Sequence, residues 1–356
     1  MTKHVVCCRL LMLLACISGC LAWSQAKKRH PPIIDMHLHA YKVADFGVGL
    51  GPTPSVCSSN EGKVWYGWDP RKPLAGNRAS CAGTRQAAPK TDEELMLQTL
   101  AAVAGHNIRA VTSGDTGSLE VVATWRSAAP DRIIPAVDFV SPERDPNGPP
   151  LFRPIPELRR MVAEGKVAVF AEVAPQYDGM SPADPQLDPY FALAEELDVP
   201  VGIHMGEGPP GGANVVGYSK YRVKMGNPLL LEDVLIRHPK LRIYVMHFGS
   251  PFVDEMIALL YSYPQLYVDV AQNDWGFPRE HFYSQLRRLV EAGFGKRILF
   301  GSDQMIWPRT IDLAIQTIES AKFLTNEQKR DIFYNNAVRF LRLDDKNQSP
   351  ESPIKR

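Results

Sequence analysis

Short apolar segments alternate with segments of helical periodicity along most of the chain, and this alternation constrains the fold more than any other feature. Eight apolar segments are rich in β-branched and aliphatic residues: IIDMHLHA (33–40), IRAVTSG (108–114), RIIPAVDF (132–139), KVAVFAEV (166–173), VPVGIHM (199–205), LRIYVMHF (241–248), QLYVDVAQ (265–272) and KRILFGSD (296–303). The segments between them carry apolar residues at helical spacing, as in TDEELMLQTLAAVAGHN and REHFYSQLRRLVEAG. Strands that are apolar throughout are typical of a parallel sheet buried on both faces. Eight such units predict an α/β fold, a (β/α)8 TIM barrel.

A doubly wound open sheet is the alternative arrangement of the same units. No glycine-rich phosphate turn follows the first apolar segment, which weakens that alternative. We therefore predict one barrel domain over residues 27–345, with an insertion at residues 42–90, after the first strand, that lies over the barrel mouth. Residues 346–356 are predicted to form a flexible tail. With 45% hydrophobic residues and a formal net charge of +1, the chain has a globular composition and shows no sign of nucleic-acid binding.

The first 26 residues have the organisation of an export signal. Lys3 and Arg9 give a basic start, and the apolar run LLMLLACISG is about as long as the core of a signal peptide but short for a membrane span. ISGC, residues 17–20, resembles a bacterial lipobox in which Cys20 would be lipidated, whereas SQA, residues 24–26, resembles an ordinary signal-peptidase site. We expect an exported protein, either periplasmic or a membrane-anchored lipoprotein, that meets the membrane only through such a lipid anchor.

Cysteine usage agrees with export. Four of the six cysteines lie within the first 20 residues, which leaves Cys57 and Cys81 in the predicted mature chain. Two cysteines in an oxidising compartment can pair, and these two flank a segment rich in glycine, proline and serine that has no helical or strand periodicity. We expect a disulfide between Cys57 and Cys81, and two free thiols are the alternative.

Two histidines one residue apart, His37 and His39, lie near the end of the first apolar segment. Successive side chains of a strand point to opposite faces, so both imidazoles project to the same side. In a (β/α)8 barrel the C-terminal ends of the strands converge, and those ends also carry Glu172, His204, His247 and Asp303. Imidazoles with carboxylates suit Zn²⁺ or a similar divalent ion better than Ca²⁺ or Mg²⁺. Polar core groups satisfied by their neighbours are the alternative, above all for Glu172.

Four motifs at these strand ends resemble the amidohydrolase superfamily. They are DMHLH on the first strand, GIHMGEG after the fifth, YVMHFGSP after the sixth and LFGSDQMIWP after the eighth. The resemblance runs from Ile33 to Leu343 and includes a closing helix, IFYNNAVRFLRL. The most similar part of the superfamily is its amidohydrolase-related branch, which contains lactonases, other hydrolases and nonoxidative decarboxylases.

The resemblance implies that His37, His39, His204 and Asp303 hold a divalent metal, with one zinc ion per chain expected and a second as the alternative. Asp303 would also carry the proton in catalysis. It implies that His247 acts as a base, as an electrophile or as a ligand of a second metal. Binuclear members place a carbamylated lysine after the fourth strand, but FAEVAPQY offers none here. Glu172 could bridge two metals instead or serve as an extra ligand.

Candidate substrate contacts lie in the loop after the fifth predicted strand, where Tyr218, Tyr221 or Arg222 could reach an anionic or aromatic small molecule. Solvated loop residues are the alternative. Three functions are compatible with the sequence. The first is an exported metal-dependent hydrolase of an amide, lactone or ester bond, and the second is a metal-dependent nonoxidative decarboxylase of an aromatic or enoic acid. The third is a metal-bearing surface binding protein without turnover. Family members are often dimers, so a homodimer is a further expectation.

Overall fold

The computed structural model describes residues 30–46, 55–58, 71, 84–115, 118–143, 145, 148–209 and 220–343. Several predictions fall outside these residues and stay predictions: the export signal with Cys20, the tail at 346–356, the disulfide partner Cys81 and the candidate contact Tyr218. Cys57 is described and is disulfide-bonded, in agreement with the expected pairing. Within the described part of the chain, every helix is too short or too polar to cross a membrane.

Ten strands occur in the described residues. They are β1 (Ile33–Ala40), β2 (Ser55–Cys57), β3 (Arg85–Ala87), β4 (Ile108–Gly114), β5 (Ile133–Val137), β6 (Val169–Val173), β7 (Val201–His204), β8 (Ile243–Met246), β9 (Leu266–Asp269) and β10 (Ile298–Leu299). Eight of them form one sheet in the order β1-β4-β5-β6-β7-β8-β9-β10, and every neighbouring pair is parallel. The two short strands β2 and β3 pair antiparallel within the predicted insertion.

Backbone hydrogen bonds between β1 and the residues that follow β10 close the sheet. The Met36 amide donates to the Phe300 carbonyl at 2.8 Å, and the His39 amide donates to the Gln304 carbonyl at 3.0 Å. The Asp303 amide donates to the His37 carbonyl at 2.7 Å. The eight parallel strands therefore form a barrel, which confirms the predicted (β/α)8 fold.

The described α-helices are α1 (Asp92–Gly105), α2 (Glu120–Ala128), α3 (Ile155–Ala163), α4 (Asp188–Glu196), α5 (Glu232–Arg237), α6 (Val253–Ser262), α7 (Asn273–Gly276), α8 (Arg279–Leu289), α9 (Arg309–Ser320), α10 (Asn326–Arg330) and α11 (Asn336–Leu341). Local sequence explains the start of α1 and the buried face of α9. Thr91 caps α1 by accepting a hydrogen bond from the Glu94 amide at 3.1 Å, and three acidic residues occupy its first turn, where they favour the positive helix end. In α9, Ile311, Ile315 and Ile318 are buried at helical spacing.

Two separate clusters make up the core. The larger one lies where the helices pack on the outside of the sheet. The smaller one joins residues of six barrel strands, among them Ile34, Val169 and Tyr244, to residues of α11 such as Phe340, so it fills the barrel interior. Tyr244 reaches across that interior and donates a hydrogen bond to the Met36 carbonyl at 2.9 Å. A Cβ atom on Gly202 would lie 2.4 Å from Cζ of Tyr244, so this position requires glycine.

Some strands end earlier than the apolar segments predict. β8 ends at Met246, where His247 turns into a left-handed backbone conformation with φ of 57°. β10 ends at Leu299, four residues before Asp303, which has a φ of 45°. Both residues carry candidate functional side chains. Non-glycine residues in this conformation are uncommon and often occur at functional sites.

Candidate metal centre

All six residues predicted for the strand ends lie together at the C-terminal mouth of the barrel. β1 contributes His37 and His39, β6 contributes Glu172 and β7 ends with His204. The two remaining residues, His247 and Asp303, follow β8 and β10. Each of these six side chains is buried except Glu172, whose side chain is 17% exposed.

Four of these side chains direct a ligand atom toward one point. His37 Nε2 lies 3.2 Å from His39 Nε2, 3.6 Å from Asp303 Oδ1 and 3.4 Å from Glu172 Oε2. His39 Nε2 lies 3.1 Å from Asp303 Oδ1 and 3.5 Å from Glu172 Oε2. Corners of a tetrahedron about 2.0–2.1 Å from its centre are about 3.3–3.4 Å apart, and these radii are the Zn–N and Zn–O bond lengths of proteins. The five distances lie close to this spacing, and His37, His39 and Asp303 together offer a divalent ion three ligand atoms. We call the four donor atoms the first position.

The second oxygen of Glu172 faces the two other imidazoles. Glu172 Oε1 lies 2.5 Å from His204 Nδ1 and 3.4 Å from His247 Nε2, and the two imidazole nitrogens are 3.1 Å apart. We call these three atoms the second position. Glu172 thus contributes one carboxylate oxygen to each position.

Buried acceptors orient two of the imidazoles. Nδ1–H of His37 donates to Oδ2 of Asp269 at 3.1 Å, and Nδ1–H of His247 donates to the carbonyl of Ala271 at 3.0 Å. In both rings this places the proton on Nδ1 and leaves the Nε2 lone pair for the centre. Such contacts fix the tautomer of metal-binding histidines and raise metal affinity.

Hydroxyl groups contact the other two imidazoles. Ser113 Oγ lies 3.0 Å from Nδ1 of His39, and Tyr177 Oη lies 3.2 Å from Nε2 of His204. Each histidine therefore uses one ring nitrogen toward the centre and has a hydrogen-bonding partner at the other. Ser113 is the penultimate residue of β4, and Tyr177 belongs to a short 3-10 helix, Pro175–Asp178, that follows β6.

Sequence reasoning missed Asp269, which is fully buried at the end of β9. Its Oδ1 also accepts hydrogen bonds from the amides of His247, at 2.8 Å, and Ala271, at 3.1 Å. The signal that could have found it is a lone acidic residue at the end of an otherwise apolar strand. Asp35 has a related role on β1, because its Oδ1 accepts from the amides of His37 and Ser302 at 2.9 and 3.0 Å.

Both carboxylates of the first position are held in the charged form. Burial alone would raise the pKa of Glu172, but the charge of His37 and the hydrogen bond from His204 hold that pKa well below its usual value. Burial likewise opposes ionisation of Asp303, and His37 and His39 lower its pKa. Ionised carboxylates are the form that binds metal.

The same charges act on the imidazoles. Burial lowers the pKa of His37, yet Asp303 and Glu172 raise it well above its usual value. Hydrogen bonds to the same two carboxylates raise the pKa of His39 against the effect of burial. Protons therefore balance the carboxylate charge until a cation replaces them.

The predicted substrate contacts differ in their relation to the centre. Tyr221 is buried, stacks on Tyr177 with 5.7 Å between ring centroids, and accepts a hydrogen bond from the Gly208 amide at 2.8 Å. Arg222 is exposed, and its guanidinium donates to the Tyr221 carbonyl at 2.7 Å. Tyr221 thus lies one ring away from His204, whereas this contact directs Arg222 toward its own loop.

Similar structures share this barrel. An uncharacterized TIM-barrel protein from Bordetella bronchiseptica is 20% identical with a TM-score of 0.54, and the match covers 72% of this chain and 86% of that one. A probable 2-pyrone-4,6-dicarboxylic acid hydrolase from Acinetobacter baumannii is 13% identical with a TM-score of 0.53, covering 87% and 99%. A 5-carboxyvanillate decarboxylase from Novosphingobium aromaticivorans, complexed with manganese, is 14% identical with a TM-score of 0.54, covering 89% and 97%. At these identities the likeness concerns the fold alone.

The sequence itself identifies the family. No curated protein matches it. A family model described as "Amidohydrolase" matches residues 34–343, which include nearly the whole barrel and all six residues of the centre. This chain therefore belongs to the amidohydrolase family.

Proposed function

We propose that this protein is a metal-dependent hydrolase that cleaves an amide, lactone or ester bond. The observation that carries the proposal is the set of ligand atoms from His37, His39 and Asp303, with Glu172 Oε2 within 3.5 Å of both imidazole nitrogens. This set can hold a divalent ion, and it includes Asp303, a carboxylate that can also move a proton. Asp303 makes its closest approaches to both histidines through Oδ1, so Oδ2 is the oxygen proposed to accept that proton.

We further propose zinc as the ion of the first position, since two imidazole nitrogens and two carboxylate oxygens at these spacings suit it. The second position offers three protein atoms, from Glu172, His204 and His247, against four in the first. We therefore expect a second ion to bind there more weakly. This differs from the ligand set implied by the family resemblance, in which His204 shares the first ion.

A bound divalent ion would lower the pKa of a coordinated water and polarise a substrate carbonyl. Asp303 would take a proton from the attacking water and give it to the leaving nitrogen or oxygen when the acyl bond breaks. The Nδ1–H of His247 is engaged by the Ala271 carbonyl, so its Nε2 is the nitrogen that faces the reaction. With the second position empty, the Nε2–H of protonated His247 would donate to the developing oxyanion.

Acidic side chains near the centre favour a substrate whose reacting part is uncharged. Burial and the negative charges of Glu172 and Asp178 raise the pKa of Asp138 to about 7. Glu207, three residues after His204, has a buried Oε2 without a hydrogen-bond partner among the described residues. Above about pH 7, where Asp138 is ionised, a substrate carboxylate placed beside it would be repelled. This supports hydrolysis of a neutral acyl bond over decarboxylation.

The test is a substrate screen on zinc-loaded protein. Aryl esters, γ- and δ-lactones and N-acyl amino acids would be followed by proton release, and aromatic and enoic acids by carbon dioxide release. We expect hydrolysis that falls at least a hundredfold in Asp303→Asn, because that variant lacks the base. Carbon dioxide from the acids would instead establish the decarboxylase. Absence of turnover with zinc bound would leave the surface binding protein.

Export is a separate proposal, supported by the composition of the first 26 residues. We propose that the chain leaves the cytoplasm and is anchored through a lipid on Cys20. Cell fractionation with intact mass measurement tests this. A membrane-bound mature chain that becomes soluble in Cys20→Ser would support the anchor. Cleavage after Ala26 with a soluble product would replace it with ordinary secretion, and an uncleaved cytoplasmic chain would contradict export.

A further inference from the structure

Two groups from one short segment hold the imidazole of His204 from opposite sides. Glu172, on β6, faces Nδ1 at 2.5 Å, and Tyr177, five residues later, faces Nε2 with its hydroxyl oxygen at 3.2 Å. The rings of Tyr177 and His204 are tilted against each other with centroids 5.0 Å apart. Among the four histidines of the centre, His204 is the one that turns Nδ1 toward it, whereas the other three turn Nε2.

We propose that Tyr177 is a positioning residue that keeps His204 available as a metal ligand through Nδ1. The inference rests on the metal centre of the proposed function. A tyrosine hydroxyl both donates and accepts hydrogen bonds. While Nδ1–H of His204 donates to Glu172, the hydroxyl donates to Nε2. Once a cation takes the place of that proton, Nε2 carries the hydrogen and donates to the hydroxyl oxygen.

The position of Tyr177 is itself fixed by packing. Its ring stacks on Tyr221, whose hydroxyl oxygen accepts a hydrogen bond from the Gly208 amide at 2.8 Å. A Cβ atom on Gly208 would lie 2.8 Å from Cε2 of Tyr221 and 3.1 Å from Cε1 of Tyr177. The loop after β7 therefore crosses both rings closely because residue 208 has no side chain. A hydroxyl held in this way can fix one orientation of the His204 ring without moving.

The alternative role for Tyr177 is packing alone. Its ring would then serve the contact with Tyr221, and its hydroxyl would be dispensable. Tyr177→Phe separates the two roles, because it keeps the stacked ring and removes only the hydroxyl. Tyr283→Phe is a matched control, since Tyr283 is also buried and its hydroxyl donates to the Thr317 carbonyl at 2.7 Å in the helical layer.

The experiment titrates the metal-free full chain with cobalt(II) and follows the visible absorption bands of the bound ion. His204→Ala first identifies the binding step that requires this histidine. In Tyr177→Phe we expect the dissociation constant of that step to rise about tenfold, the lower end of the range for partners of metal-binding histidines. Tyr283→Phe should bind like the wild type, and thermal unfolding of each metal-free variant shows that the fold is kept.

An unchanged dissociation constant in Tyr177→Phe would overturn the inference, and so would an equal loss in Tyr283→Phe. A wild-type chain in which no cobalt step depends on His204 would overturn it as well. Failure of the proposed function is read separately, because cobalt binding is measured without any substrate. A tenfold loss in Tyr177→Phe together with no turnover in the wild type would refute the hydrolase and leave the role of Tyr177 intact.

Discussion

Asp269→Asn leaves the shape of the side chain almost unchanged but should still disturb the centre. The carboxylate of Asp269 accepts hydrogen bonds on both of its oxygens: Oδ2 from Nδ1–H of His37, and Oδ1 from the amides of His247 and Ala271. An asparagine side chain has one acceptor oxygen and one NH₂ group. In either orientation of the asparagine amide, its NH₂ group faces an N–H donor, from the His37 ring or from the backbone. The side chain is fully buried, so water cannot relieve the clash.

The magnitude follows from the orientation of His37. If the asparagine oxygen keeps the two amides, its NH₂ group favours the His37 tautomer with the proton on Nε2, the nitrogen that faces the first position. Loss of such a partner lowers metal affinity about 10- to 100-fold, or roughly 1.4–2.7 kcal/mol. If the asparagine side chain is flipped, the amides of His247 and Ala271 lose their acceptor, which costs about 1–3 kcal/mol of folding stability for each unpaired amide instead.

The assay measures both outcomes on the same samples. Zinc affinity is determined by competition with a chromophoric chelator, and stability by urea unfolding of the metal-free chain. Asp312→Asn is the matched control, because Asp312 also pairs with a histidine, His106, at 2.6 Å but lies on α9 outside the centre. Zinc affinity and stability of Asp269→Asn that both equal those of the wild type would refute the reasoning. Equal losses of zinc affinity in the two variants would refute it too.

Three further predictions concern the barrel interior and the charges at its mouth. Gly202→Ala should destabilise the protein by about 1–3 kcal/mol in urea unfolding, because the new Cβ would lie 2.4 Å from Tyr244. Gly105→Ala is the control: this position has open space around it, so the substitution should be neutral or stabilising. Asp138→Asn should stabilise the protein more at pH 8 than at pH 5. The reason is that a folded-state pKa raised to about 7 makes ionisation of Asp138 in the folded protein costly as the pH rises. A stability gain of the variant that grows toward acid pH would contradict this. The raised pKa of His37 stabilises the metal-free fold at pH values below 6.5, the ordinary pKa of histidine, and this stabilisation is lost as the pH rises through the folded-state pKa. Zinc affinity should therefore increase with pH, and calorimetry in two buffers should detect proton release on binding. Equal zinc affinity at pH 6 and pH 8 would be inconsistent with this prediction.

The barrel and most of its centre could be predicted because they depend on local patterns. Short, mostly apolar runs such as IRAVTSG, repeated between helical segments, are typical of buried parallel strands, and the structure places β4 over the same residues. His37 and His39 could be placed on one face by the period of a strand. Asp269 and Tyr177 escaped prediction because their roles depend on partners 232 and 27 residues away, His37 and His204.

The sequence by itself determined which residues meet at the mouth, since the order of strands and helices dictates a barrel and a barrel brings its strand ends together. It also determined that carboxylates and imidazoles would supply the chemistry there. Only the tertiary structure decided how these groups divide. Closure of β1 against the residues after β10 brings Asp303 beside His39. His247 and Asp303 both reach the centre from positions with left-handed backbone. The two oxygens of Glu172 separate the donor atoms into two positions, because side-chain direction is decided by packing and hydrogen bonds between distant segments and leaves no periodic trace in the sequence.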